Sequence, residues 1–345
     1  MKIVIIGSGW YGLHIASKLQ YEHNVIILEK NNDIFAGSSY NNQNRLHLGF
    51  HYPRCYKTRQ LCYNNFVKFI SEYADVVDNI DKNYYAISNE SNIDYDTYVH
   101  IYTYEQYQFT ICENTLLTNT AENLIKVNEK LINHNNAKEH FKRLLTRATI
   151  MCNYAVYDVC ELENNVIVNN DIECDILINC TYGQLKLFDD IRDYMYEYTI
   201  SMVYEKIGEF DADCITIMDG SFPSLFLRDK QSNSYTLTHV AYTPMKKSIN
   251  ITDVIEYEPT QHEINSCIEN MEREIHKYVP NFNKLFKYVS YFTSLKTKPI
   301  ILGSVDNRCC NISSTDRIIS INCGKITGIF DAEQYVNDHI ETQIN

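Results

Sequence analysis

Residues 2–12 read KIVIIGSGWYG and residues 24–29 read NVIILE. Lys2 to Ile6 is a short β-branched run, the composition of a strand buried on both faces of a parallel sheet. Gly7, Gly9 and Gly12 then stand in G-x-G-x-x-G spacing. Helical character from Tyr11 to Leu19 and a second strand from Asn24 to Leu28 complete the start of a dinucleotide-binding βαβ unit. Gly7 permits the tight turn, Gly9 lets a pyrophosphate approach the backbone, and Gly12 lets helix and strand pack closely. The helix start offers free N–H groups and a positive dipole end to phosphate. Glu29 closes the second strand, where a carboxylate accepts both hydroxyls of an adenosine ribose. An acid here selects a ribose without a 2′-phosphate, but it does not separate NAD from FAD.

The composition narrows the rest. A chain of 345 residues exceeds what one core usually fills and points to two domains. The formal net charge of −13 argues against a nucleic-acid partner, which needs a basic face. The twelve cysteines are scattered without zinc-like spacing, so free thiols in a reducing compartment are expected. The opening run lacks a cleavage site for a signal peptide, and no stretch approaches the roughly 18 apolar residues of a membrane span. We expect a cytoplasmic protein without a metal site. Oligomeric state is not legible.

After Glu29 the chain continues LEKNNDIFAGSSYNNQNRLHLGFHYPR. Here it resembles the FAD-dependent oxidoreductase superfamily that includes D-amino-acid oxidase, glycine oxidase, sarcosine oxidase and L-2-hydroxyglutarate oxidase. Gly37-Ser38-Ser39 matches that superfamily's loop after the acid, and Arg45 to Gly49 matches its stretch passing the flavin ring. Asn165 to Val168 and Asp175 to Gly183 resemble its paired strands ending in D-x-V-V-N-A-x-G. Ile318 to Asn322 with Gly324-Lys325-Ile326-Thr327-Gly328 resembles its last strand and glycine turn, leading to a helix with Ile326, Ile329, Phe330, Tyr335 or Val336, and Ile340 on one face.

The resemblance implies FAD as cofactor. It implies contacts from Gly7, Gly9, Trp10, Tyr11, Gly12, Glu29, Lys30, Ser38, Ser39, Arg45, Leu46, His47, Thr181, Gly324, Lys325, Ile326 and Thr327. It also implies an α/β fold, α+β overall, with a Rossmann-like FAD-binding domain made of residues 1–80, 120–190 and 295–345. Residues 81–119 and 191–294 would form a substrate domain with a mainly antiparallel sheet.

The stretch NQNRLHLGFHYPR concentrates arginine and histidine in an acidic chain. A reducing flavin gains negative charge, and many substrates of the superfamily are carboxylates; both favour cations and donors in a water-poor cleft. Arg45 and His47 are therefore placed near the flavin, with Gly49 letting the backbone lie close to the flat ring. His51, Tyr52 and Arg54 face substrate or secure the next helix. The alternative is that these groups cap a helix and pair with surface carboxylates. The catalytic candidates are His47, His51 and Arg308, whose guanidinium fork matches a carboxylate. Lys296 and Lys298 lie in the same basic part of the chain. Cys309 and Cys310 raise a covalent flavin link, as in sarcosine oxidases.

Elsewhere, Leu61, Phe66, Phe69, Ile70 and Tyr73 recur at helical spacing. Residues 84–112 read as strand-like and tyrosine-rich, and 127–145 as a helix with a weak point at His134-Asn135-Asn136. Ser224 to Arg228 and Tyr235 to Ala241 read as a hairpin. Ile264 to Tyr278 forms an amphipathic helix. Asp219, Arg228, His239 and Tyr242 are polar candidates near strand ends, each more simply read as structural.

The function expected is hydride removal by FAD from a small amine, amino acid or hydroxy acid. A redox-neutral flavoenzyme on a nucleotide sugar, like UDP-galactopyranose mutase, and a non-catalytic protein on a flavin fold are the alternatives.

Overall fold

The computed structural model describes residues 1–118, 120–188, 194–300 and 308–344. The expected domain limits at 119/120 and 190/191 touch residues outside these spans. Two large sheets organise the chain. The first runs, in spatial order, Asn311–Ser314, Ile318–Asn322, Ile176–Asn179, Lys2–Ile6, Asn24–Leu28 and Thr149–Met151. All its pairings are parallel except that of the edge strand Asn311–Ser314.

Burial on both faces explains why Ile3 to Ile6 are all apolar. Ile3 and Ile5 point to one face, against the helices Trp10–Leu19 and Ile329–Ile344. Val4 and Ile6 point to the other, against a three-stranded sheet containing Val166 and Val168. The closing helix buries Ile329, Phe330, Val336 and Ile340, while Tyr335 is exposed. Gly12 lets the first helix approach its strand: a Cβ there would stand 2.0 Å from the Gly7 carbonyl oxygen.

The second sheet has nine strands and is antiparallel apart from Cys214–Met218 beside Asn83–Ser88. The helix Gln261–His276 covers one of its faces, burying Ile264, Cys267, Met271 and Ile275. Its two long strands, Tyr194–Lys206 and Phe286–Pro299, pair along their whole length, so the second runs unbroken through the expected limit at 294/295. The hairpin Pro223–Asp229 with Ser234–His239 lies beside them.

A small third sheet joins Arg45–Leu46 to Lys130–Ile132, which pairs in turn with Val77–Asn79. It anchors the Arg/His-rich stretch between the two large sheets.

Three expectations need correction. Residues 127–145 are not one helix. A strand ends at Val127, Lys130–Ile132 is another, and the helix His134–Leu144 starts where a weak point was expected. Asn133 caps it by accepting from the Asn136 N–H at 3.0 Å. Residues 84–112 contain the helix Tyr95–Tyr104, capped by Asp94 and burying Tyr95, Tyr98 and Tyr102 at helical spacing. Val166–Val168 and Ile176–Asn179 do not pair; the former belongs to a separate antiparallel sheet.

Candidate active site

A cleft of about 1170 Å³ opens between the two large sheets. Its first end is built by the amino-terminal turn. Gly7 holds φ +97°, and a Cβ there would lie 2.9 Å from the Cys180 carbonyl oxygen, so only glycine fits. Gly9 is extended and opens the first helix without a side-chain cap of its own. The Trp10 N–H donates to Ser39 Oγ at 3.0 Å, and a Cβ on Gly9 would meet that oxygen at 2.7 Å. The 37–39 loop is thereby seated against the helix start.

Glu29 is buried at the cleft wall. One carboxylate oxygen accepts from Ser8 N–H at 2.9 Å and Ser8 Oγ at 2.6 Å, the other from Asn31 N–H at 2.9 Å. These donors fix the carboxylate, and its oxygens keep lone pairs for a further donor. Lys30 donates to Gln184 at 2.7 Å.

The carboxyl-terminal turn meets the same region. Tyr11 donates its hydroxyl to the Lys325 carbonyl at 2.5 Å, and Gly324, Lys325, Ile326 and Thr327 all line the cleft. A Cβ on Gly324 would lie 2.9 Å from Arg308 Cδ, so the arginine stem crosses directly over this turn.

At the far end the cleft becomes cationic. Arg45 donates to Thr216 Oγ1 at 2.7 Å and to Ser224 Oγ, with its guanidinium 4.1 Å from the Phe226 ring centre. Its buried Nε has no partner. Lys296 is exposed into the cleft. The surrounding protein, with Lys298 and Arg308 nearby, lowers its pKa to about 7. Burial, with Arg308 nearby, brings Lys325 to about 8, and its ammonium sits 4.5 Å from the Tyr52 ring centre. Among the described residues, Arg45, Lys296 and Lys325 form no ion pair. Lys298 does, with the buried Glu197 at 2.6 Å.

His47 and His51 stand side by side on this wall, ring centres 5.5 Å apart. Burial, reinforced by Lys325, lowers His47 to about 4. Burial and its neighbours His47 and Arg45 depress His51 well below the ordinary range. Both rings are therefore neutral at pH 7, able to accept a proton. The Nδ1 of His51 is buried without a partner.

Every cofactor and catalytic candidate drawn from the sequence reaches this cleft except Gly12 and Leu46. Gly12 packs helix on strand. Leu46 lies wholly in the core, because strand alternation sends Arg45 to the cleft and its neighbour away from it. Gly49 also departs from expectation. It has φ +124°, and its Cβ position faces Arg59 Cγ and the Tyr107 hydroxyl at 3.0 Å, not the cleft. Arg54 lines the cleft but pairs with Asp219. Arg228 stacks 4.2 Å from the Phe292 ring centre and donates to the Asn42 carbonyl. Neither Cys309 nor Cys310 lines the cleft, and none of the twelve cysteines is in a disulfide.

One residue here was not foreseen. Glu129 is completely enclosed behind His47 and accepts from Leu48 N–H at 2.8 Å and the Tyr85 hydroxyl at 2.8 Å. Thr216 and Ser224, which hold Arg45, were likewise unmarked in the sequence.

The donor set fits FAD. A glycine turn and an uncapped helix start suit a pyrophosphate, Glu29 suits the ribose, and orphaned buried nitrogens of Arg45 and His51 point to a polar occupant at the far end.

No family model matches the chain. By sequence it is 29% identical to the FAD-dependent monooxygenase FPY4 of Fusarium mangiferae, over 98% of this chain and 91% of that protein. It is 27% identical to the FAD-dependent monooxygenase kojA of Aspergillus flavus, over 97% and 85%. By structure it is similar to glycine oxidase from Geobacillus kaustophilus, with TM-score 0.76 and 10% identity over 99% of this chain and 94% of that one. L-α-glycerophosphate oxidase from Mycoplasma pneumoniae, solved with FAD bound, gives TM-score 0.73 and 13% identity over 98% and 93%. No helix of the described residues is long and apolar enough to cross a membrane. The glycine turn, the acid that follows it, the two-sheet architecture and these relatives agree: the chain is similar to FAD-dependent oxidoreductases and shares its fold with those of the D-amino-acid oxidase type.

Proposed function

We propose that the enzyme oxidises a small anionic substrate, an amino or hydroxy acid, at the C–H bond beside its amine or hydroxyl. The observation that carries this is the convergence of Arg45, Lys296 and Lys325 on one end of the cleft without carboxylate partners among the described residues. Uncompensated cations in a low-dielectric cleft favour an anionic occupant strongly.

FAD supplies the hydride acceptor when bound. In this reading Glu29 holds the adenosine ribose, the amides at Gly9 and Trp10 face the pyrophosphate, and the 324–327 turn faces the isoalloxazine end. Arg308, Lys296 and Lys325 hold the substrate carboxylate and offset the charge gained on reduction. Arg45, braced by Thr216 and Ser224, extends that field from the opposite wall. His47 takes the proton of a substrate hydroxyl onto its neutral ring; a substrate bound as the free amine needs no such base. That none of the twelve cysteines is in a disulfide suits a reducing, cytoplasmic setting.

The sugar-nucleotide mutase and non-catalytic alternatives are not favoured, since the relatives are oxidoreductases. A monooxygenase is the second reading, because FPY4 and kojA carry that description. Anaerobic mixing of the FAD-loaded enzyme with glycine, sarcosine, L-alanine, glycolate and glycerol 3-phosphate, with and without NADPH, separates the two. Bleaching of the flavin by a substrate alone supports direct oxidation. Bleaching that requires NADPH replaces it with monooxygenation.

A further inference from the structure

The Glu129 carboxylate has no exposure at all, and it lies outside the cleft. A buried carboxylate is retained only where donors surround it. Here Oε1 accepts from Leu48 N–H at 2.8 Å and more weakly from Gly49 N–H at 3.3 Å, while Oε2 accepts from the Tyr85 hydroxyl at 2.8 Å. The third neighbour of Oε1 is His47 Nδ1, at 3.6 Å. That nitrogen is buried and makes no hydrogen bond, so the carboxylate stands just beyond hydrogen-bond reach of it. Burial works against the carboxylate, yet the His47 ring, the Tyr85 hydroxyl and the Leu48 N–H together hold its pKa below the ordinary value. It is therefore charged at neutral pH.

We propose that Glu129 is a positioning residue that keeps the His47 proton on Nδ1, leaving the ring's other nitrogen as the acceptor presented to the cleft. An ionised carboxylate offers only acceptor sites, so the nitrogen facing it must be the one that carries hydrogen. When His47 gains a second proton from a substrate hydroxyl, the O–H bond breaks, an Nε2–H bond forms, and the new imidazolium lies against a fixed negative charge. A carboxylate behind a catalytic imidazole plays this part in unrelated enzymes, by setting the tautomer and stabilising the cation. The inference rests on the reading of His47 as the base, but the state of the ring is measurable without any turnover.

The test is long-range 1H–15N NMR of FAD-loaded protein labelled with 15N-histidine, with His47 assigned by its absence in His47→Gln. In the wild-type enzyme at pH 7.5 the His47 signals should be those of a neutral ring protonated at Nδ1. Glu129→Gln removes the charge while keeping the shape, and the ratio of Nδ1–H to Nε2–H should fall several-fold. Tyr85→Phe removes a donor but keeps the charge, and should leave the ratio unchanged. A wild-type ring protonated at Nε2 overturns the proposal. So does an unchanged ratio in Glu129→Gln, or an equal fall in Tyr85→Phe, which would assign the ring's state to packing. Should Glu129→Gln fail to fold, the wild-type and Tyr85→Phe spectra decide alone. Failure of the base assignment itself would appear elsewhere, as an unchanged flavin reduction rate in His47→Gln.

Discussion

The Tyr11 hydroxyl donates to the carbonyl of Lys325, a residue 314 positions later in the chain, across 2.5 Å. This bond ties the first glycine turn to the last, the two backbone segments proposed to face the pyrophosphate and the isoalloxazine end of the cofactor. Tyr11 is half-buried, and desolvation drives its phenol well above its usual pKa, so it stays a neutral donor. Tyr11→Phe removes this bond while Gly328 N–H at 3.2 Å still donates to the carbonyl, and should lower stability by about 0.5–1.5 kcal/mol. Chemical denaturation of the FAD-free protein measures this. FAD affinity should fall several-fold in the same variant, because the two turns lose their register.

Gly9 gives a sharper test of the phosphate site. Gly9→Val should yield protein without bound FAD. A Cβ at this position also strikes Ser39 Oγ at 2.7 Å, so loss of FAD could come from a displaced loop. Gly9→Ala combined with Ser39→Gly removes that collision. We expect the double variant to melt near the wild-type apoprotein yet still bind FAD at least tenfold more weakly. Restored affinity would show that the glycine serves the loop and not the pyrophosphate.

Arg59 should control the Arg/His-rich stretch from behind. It is buried, donates to the Tyr52 and Pro53 carbonyls at 2.8 Å, and makes a two-pronged pair with Glu105. Arg59→Ala strands the Glu105 carboxylate and two carbonyls, at a cost of about 3–5 kcal/mol. Arg59→Lys keeps the charge but not the fork and should recover only part of that loss. Differential scanning calorimetry distinguishes the three proteins.

The cationic end of the cleft predicts a pH dependence of anion binding. Lys296 at about 7 and Lys325 at about 8 carry charge below these values and lose it above them. His47, at about 4, is neutral throughout this range and contributes no change. Acetate or glycolate, followed through the flavin spectrum, should bind best below pH 7. Each charge lost weakens binding by up to about tenfold per pH unit beyond its pKa. Lys296→Met should flatten the lower part of this profile. Affinity that rises with pH would rule out these lysines as the anion's partners.

How much of this was visible in the chain depended on how local the signal was. Lys2 to Glu29 carries strand, turn, helix, strand and acid within one continuous stretch, so the unit was readable without its surroundings. The helix Tyr95–Tyr104 was not, because tyrosine favours strands on average. Its spacing of three and four residues between buried rings was the signal that could have found it. Leu46 was assigned to the cofactor with its neighbours, although alternation along a strand lets only every second residue face the cleft. Glu129 was beyond reach for a different reason. Its partnership with His47 exists only because Arg45–Leu46 and Lys130–Ile132 pair across more than eighty positions, and no local pattern in residues 127–133 encodes that pairing.

The most direct test is the electron density of FAD in crystals of the loaded enzyme. The adenosine ribose should lie against Glu29, and the isoalloxazine should lie between the 324–327 turn and the wall carrying His47 and Lys296. An isoalloxazine bound out of reach of Lys325 and His47, or an adenosine away from Glu29, would contradict the assignment of the cleft and the chemistry drawn from it.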